Sequence, residues 1–453
     1  MEYTKLLAEF CAGLKYEDLP AEVVSTAKLC ILDYVANVYG SLEIEEVRRI
    51  ADYMRDLGES GPASALGCGF RTGMQNAAFL NGTAGEALEA QDGLRFGGNH
   101  PGVAVIPAAL AAGDKNGSTG KEIITAIVAG YEAANRPAAA MHPFHTLAGF
   151  LPTGTCGTIG AAAAAAKLMR QDGRTTLNAI GISGYILPIS MAEHLMGGWT
   201  AKIVQGGQAA SAGITAAGLA GVGITGAPYM LEGSHLKGGF TQISTNSKPA
   251  LDKITEGLGE HFTIMDIYLK PFTSCRHTHG AAQAAIKIAG RIQPGDIDEI
   301  KVSTYAIATV AVGKEIFPGD SFVKAQFSLP YVTAACLVDG DMGPEQLKRE
   351  KIDSPVILDI AQKVKLIIDP AINKEYPEKT STRVDIRLKN GDTISEFTEI
   401  PMGDPRAPMS QSDVAAKLKR FAGNRDTSRL DEITGMILDL ENLSDIRSLT
   451  TLV

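Results

Sequence analysis

Thr382-Arg-Val-Asp-Ile-Arg-Leu388 and Thr393-Ile-Ser-Glu-Phe397 alternate apolar and polar side chains on either side of Asn390-Gly391. Period-two alternation half-buries a strand, and Asn-Gly tolerates the positive φ angles that a tight hairpin turn requires. Working back from this hairpin, Val364–Ile368, Ile297–Tyr305 and Phe262–Tyr268 read as further strands. Helical patterns over 278–291 and 326–339 lie between them. Upstream of residue 260 no stretch has the β-branched alternation of a strand. The runs 21–42, 72–91, 101–113, 121–135, 155–169 and 206–222 have helical spacing, and Thr119 with Glu122 makes a capping-box pattern ahead of 121–135. Helical patterns return over 410–421 and 428–441. The expected fold class is therefore α+β. A large all-helical domain, 1–262 and 403–453, is formed by both chain ends, and a smaller α/β domain, 263–402, is inserted between them.

The length of 453 residues favours two cores over one. Forty-two basic against 51 acidic residues give a net charge of −9, which argues against a general nucleic-acid-binding surface. The most apolar runs, around 102–112 and 155–169, are shorter than the roughly 20 residues of a membrane span. Six scattered cysteines without a CxxC pair, and an N-terminus unlike a signal peptide, point to reduced thiols in a cytoplasm.

Polar residues cluster at the ends of apolar, small-residue runs. His100 stands between Asn99 and Pro101 at a helix entrance, where partial positive charge favours a neutral imidazole. It serves there either as a base or orienting donor, or only as a cap. Asp92 lies eight residues upstream and is placed to orient His100 or to exchange protons itself. Glu89 shares its face if the preceding helix persists, and is otherwise a solvated loop carboxylate. Lys202 and Lys270 supply the charge that must be neutralised when a proton is removed beside a carboxylate. Lys270 follows an apolar strand and precedes Arg276, His277 and His279. Thr153, in Leu151–Thr158, offers a hydroxyl and free N–H groups at the entrance of an Ala-rich helix. Tyr331 reads either as a proton donor or as a core tyrosine.

Other chemistries fit less well. Gly221-x-Gly223-x-x-Gly226 has dinucleotide spacing, but a helix precedes it and Pro228 follows. Gly120-Lys121 lacks the rest of a phosphate loop. Cys275-x-His277-x-His279 lacks the paired spacing of a metal site.

Taken together, Ile31-Leu-Asp-Tyr-Val-Ala-Asn37, His100-Pro-Gly102, Gly149-Phe-x-Pro-Thr-Gly-Thr-x-Gly-Thr158, Thr200-x-Lys202, Lys270-Pro-Phe272, Arg276-x-Thr-His279 and Phe327-Ser-x-x-Tyr331 resemble the MmgE/PrpD family along nearly the whole chain. The resemblance implies a cofactor-free homodimer with a pocket between its domains, and the spacing around Cys275 gives no metal site. By matching position Asp92, His100, Lys202, Lys270, His279 and Tyr331 would line that pocket, with Glu89, Leu151, Thr153 and Arg276 as substrate contacts. The implied activity is that of a lyase, a dehydratase or decarboxylase of a citrate- or aconitate-like di- or tricarboxylate. Two departures stand out. Leu151 replaces the usual histidine of a Gly-Phe-His-Pro segment, and Ala201-Lys202-Ile203-Val204-Gln205 replaces Thr-Lys-Arg-Leu-His. Leu151 cannot exchange protons, and His142 or His145 are the nearby alternatives. An epimerase of a dicarboxylate such as iminodisuccinate, or a noncatalytic carboxylate-binding dimer, are the competing expectations.

Overall fold

The hairpin predicted at Asn390-Gly391 forms, with Gly391 at φ +94° and the Leu388 N–H donating to the Asp392 carbonyl. In this computed structural model, which describes residues 2–246 and 248–453, strands Thr382–Leu388 and Thr393–Thr398 are two members of a four-stranded mixed sheet. Ile297–Thr304 pairs antiparallel with Thr382–Leu388 and parallel with Val364–Ile368. Alternation along Ile297–Thr304 and Thr382–Leu388 turns Ile300, Val302, Val384 and Ile386 inward, all fully buried. Helix His279–Ala289 packs across the hairpin.

The rest of the chain is mainly helical. Pro152–Leu168 lies at its centre, against Gly102–Asn116, Gly120–Met141 and Gln205–Gly221. Small residues let these helices approach closely. A Cβ on Gly207 would stand 2.1 Å from the Phe79 carbonyl oxygen, so only glycine fits there. The last helices return to the first: Gln411–Ala422 packs on Ala21–Ser41, and the Ile446 N–H donates to the Ser118 carbonyl at 2.8 Å. The Thr119–Glu122 capping box is present.

Local readings differ from the structure where tertiary contacts capture backbone. The strand expected over 262–268 is mostly a 3-10 turn, Thr263–Asp266, because the Glu132 carboxylate takes the Thr263 hydroxyl at 2.7 Å. Only Ile267–Tyr268 is extended, and it pairs with Gly93–Leu94. Short strands do occur before residue 260, in that pair and in Ala63–Ala65 with Phe70–Thr72. The helix expected over 72–91 is Met74–Ala87, its terminal Ala87 carbonyl held by the Gln326 amide at 2.8 Å. Over 326–339 the helix breaks at Ser328, whose hydroxyl caps the new helix Leu329–Asp339.

Candidate active site

Because helix Met74–Ala87 ends early, Glu89 lies in a turn at φ +53° rather than on a helix face shared with Asp92. A non-glycine residue pays strain for that angle, so the turn persists only where its surroundings over-determine it. They do. Glu89 is 2% exposed and is no solvated loop carboxylate. Its two oxygens accept from two different lysines, Lys202 and Lys270, the latter at 2.7 Å. Lys270 Nζ also donates to the Glu89 main-chain carbonyl at 3.0 Å, and Lys202 Nζ reaches Glu86 Oε1 at 3.0 Å. Burial pushes the Glu89 carboxyl upward, but Lys202 and Lys270 outweigh it and hold it well below the usual range. The same two carboxylates keep the Lys202 ammonium charged against its own burial. An ammonium has three donors. Each lysine uses two, leaving one N–H on each without a protein acceptor among the described residues.

Beside this array stands His100, half-buried. Its Nδ1 lies 2.6 Å from the main-chain carbonyl of Asp92, a contact only a protonated Nδ1 makes. Nε2 is therefore the nitrogen with the lone pair. Burial, then the charges of Lys270 and Lys202, push the imidazole down to about 3, so it is neutral across the physiological range. The Asp92 carboxylate does not orient His100, as expected from spacing. It turns to the start of helix Gly102–Asn116, accepting from the Gly102 N–H at 3.1 Å and from the Tyr131 hydroxyl at 2.7 Å. Burial raises its pKa to about 7, with Tyr131 opposing. The Thr153 hydroxyl accepts from the His100 N–H at 3.1 Å, so it holds the loop.

The other predicted residues divide. His279 is fully buried, its Nε2 3.1 Å from the Ser274 carbonyl and its Nδ1 without a partner. Burial, then the Arg276 and Lys270 charges, keep it neutral. Arg276 stacks on Tyr268 and donates to the carbonyls of Pro401 and Met402, which ties it to the backbone leaving the hairpin. Tyr331 is not brought to the cluster. Its hydroxyl donates to the Gln346 carbonyl, leaving a core tyrosine. Leu151 is half-buried at the N-cap of helix Pro152–Leu168, bonded to the Ser190 carbonyl. Gln205 donates to Glu86 and accepts from Ser190 at 3.0 Å. His145 spends both nitrogens on Thr155 and Ser244 and stacks on Phe150, so it does not stand in for the missing histidine.

Two residues escaped the sequence reading. Glu86, 0% exposed, is the second counter-ion of Lys202, and its main-chain carbonyl accepts from the Glu89 N–H at 2.9 Å. Tyr268 is buried edge-on to His100, ring centroids 6.4 Å apart, and burial, opposed by the Arg276 charge, pushes its hydroxyl well up. Its signal was parity: residues i and i+2 of an extended segment share a face, which groups Tyr268 with Lys270.

The chain matches the MmgE/PrpD N-terminal domain over residues 5–252 and the MmgE/PrpD C-terminal domain over residues 272–441. It is 26% identical to a cis-aconitate decarboxylase-like protein of Aspergillus oryzae, over 99% of this chain and 97% of that protein. It is 26% identical to a cis-aconitate decarboxylase of Aspergillus terreus, over 99% and 95% of the two chains. It is 27% identical to one of Mus musculus, over 99% and 93%.

Proposed function

This chain belongs to the MmgE/PrpD family, and from that premise we propose that it is a lyase of a small di- or tricarboxylic acid of the citrate or aconitate class. The observation that carries the reading is the Lys202–Glu89–Lys270 array, with one N–H left on each ammonium, beside the unprotonated Nε2 of a neutral His100. An acid carboxylate accepts the two remaining N–H groups. His100 Nε2 removes the proton α to that carboxylate, and the electron pair delocalises into it, where the lysines offset the growing charge. In dehydration the pair then expels a β-hydroxyl, which leaves as water with a proton. In decarboxylation no α-proton is abstracted: the pair left behind by CO₂ forms a new C–H bond with one proton taken up from solvent, and the neutral His100 Nε2 can only relay that proton. We assign Tyr268, edge-on to His100, as the second proton-exchanging group. His100 is the half-open member of the group, so substrate enters from its side.

The names of the three relatives support decarboxylation of an aconitate-like acid. A second reading, epimerisation of a dicarboxylate, rests on Leu151, which stands where the dehydratases and decarboxylases it resembles carry a histidine. We read the chain as a homodimer. Tyr185, Ile189, Met191 and Trp199 expose between 51% and 92% of their surface on one segment, an apolar patch that a second copy would cover. We place the cleft between the helical part, 1–262 with 403–453, and the part 263–402. The unpaired cysteines support a reducing compartment, and no described helix is long and apolar enough to cross a membrane.

The test is proton exchange and product formation in deuterated solvent with cis-aconitate, citrate, methylcitrate and aspartate-derived acids. CO₂ or water release supports the lyase, and α-deuteration with inversion alone supports the epimerase. His100→Asn is expected to slow either by about 10²–10⁴-fold. No turnover of any acid, with binding retained, would leave a noncatalytic binder.

A further inference from the structure

We propose that Lys417 and Asp33, a buried ion pair drawn from the two ends of the chain, are positioning residues that hold the Glu89–Asp92 turn in its working shape. The proposal rests on the reading above that Glu89 and His100 form the reacting cluster. Lys417, on helix Gln411–Ala422, places Nζ 2.6 Å from Asp33 Oδ1 and 2.7 Å from the Ala90 main-chain carbonyl. Asn37, one turn after Asp33 on helix Ala21–Ser41, donates to the same carbonyl at 3.2 Å and to Asp33 Oδ2 at 3.3 Å. All three side chains are buried, with Lys417 3%, Asp33 1% and Asn37 0% exposed.

Ala90 lies between Glu89, which bridges the two lysines, and Asp92, whose carbonyl fixes the His100 tautomer. The turn is held by Lys270 on the Glu89 carbonyl and by Lys417 and Asn37 on the Ala90 carbonyl. Successive carbonyls, each fixed by a buried donor, explain how Glu89 keeps φ +53°. This gives the returning C-terminal helix a task beyond packing: it carries a cation 384 positions from its partner to the floor of the site. Lys417 touches no reacting atom, so it acts through the turn.

The decisive comparison is Asp33→Leu/Lys417→Met against wild type. Replacing both members of a buried ion pair by apolar side chains leaves a folded protein of similar stability. Asn37→Leu is the companion variant. It removes the other donor on Ala90 together with an unpartnered buried oxygen, and changes no charge. The structural readout is hydrogen exchange of the Glu89 amide, which donates to the Glu86 carbonyl at 2.9 Å. The catalytic readout is kcat against KM for the acid that exchanges fastest. Expected are exchange at Glu89 faster by about tenfold or more and kcat lower by about 10–100-fold with KM little moved, while the thermal midpoint stays near that of wild type. Wild-type exchange at Glu89 in both variants overturns the proposal, whatever happens to kcat. Failure of wild type to act on any acid would sink the functional reading alone, because the amide comparison still decides this one.

Discussion

Replacing Glu89 with glutamine removes the one carboxylate that binds both lysines. The consequences for the two are unequal. Lys202 keeps Glu86 at 3.0 Å. Lys270 is 0% exposed and keeps only neutral acceptors, the main-chain carbonyl of residue 89 and the amide oxygen of the new glutamine. One buried ammonium is thus left without a counter-ion, a loss of about 3–5 kcal/mol. With an unfolding entropy of about 2.1 cal/mol/K per residue, 453 residues give about 0.95 kcal/mol/K, so Tm should fall by about 3–5 °C at pH 7. The sign with pH follows from Glu89. Its folded pKa is depressed, so its contribution is fully present above the unfolded value of about 4.3 and is lost as pH falls through the folded one. The Tm gap between wild type and Glu89→Gln should be full from pH 6 to 8 and narrow on acidification below about pH 4. Differential scanning calorimetry at pH 7 and pH 3.5 measures it, with proton-exchange turnover followed in parallel. A variant within about 1 °C of wild type at pH 7, turning over at the wild-type rate, would refute the claim that Glu89 organises the lysines.

Asp92→Asn should raise Tm above pH 7 and lose that advantage in acid. The raised pKa of about 7 means wild-type Asp92 contributes stability below its unfolded value of about 3.9, and loses it as pH rises through 7. Scanning at pH 5 and pH 8 tests the sign. Tyr331→Phe should keep turnover within about twofold and cost about 1 kcal/mol by losing its bond to the Gln346 carbonyl, whereas Tyr268→Phe should lower kcat; steady-state kinetics with urea melts separates them. Gly120→Ala should lower stability by about 1–3 kcal/mol, read as the urea midpoint, because its Cβ would stand 1.6 Å from the Leu440 carbonyl where the C-terminal segment meets helix Gly120–Met141.

Much of the site was legible as residue types at element ends. Lys202, Lys270, Glu89 and His100 converge because each follows or precedes an apolar run that packs, leaving its polar end at a junction. Roles were less legible than membership. Spacing suggested that Asp92 orients His100 through its carboxylate, but the carbonyl does so, because the carboxylate is drawn to Tyr131 and the free N–H of Gly102. Nothing local marks Tyr131, 39 positions away, as that partner. Tyr331 illustrates the reverse: its position in a resembling segment pointed to the pocket, while its hydroxyl is consumed 15 residues on.

Periodicity, turn chemistry and caps are local, and they were enough to give the hairpin at Asn390-Gly391, the capping box at Thr119 and the helical character of both chain ends. They fail where a distant side chain captures backbone, as Glu132 does at Thr263 and Gln326 does at Ala87. The ionisation of the cluster belongs wholly to the tertiary structure. A carboxylate in a chain titrates near its ordinary value, and only burial beside two lysines from distant segments holds Glu89 charged, while burial and the neighbouring Asp33 charge, against the Tyr131 hydrogen bond, carry Asp92 to about 7.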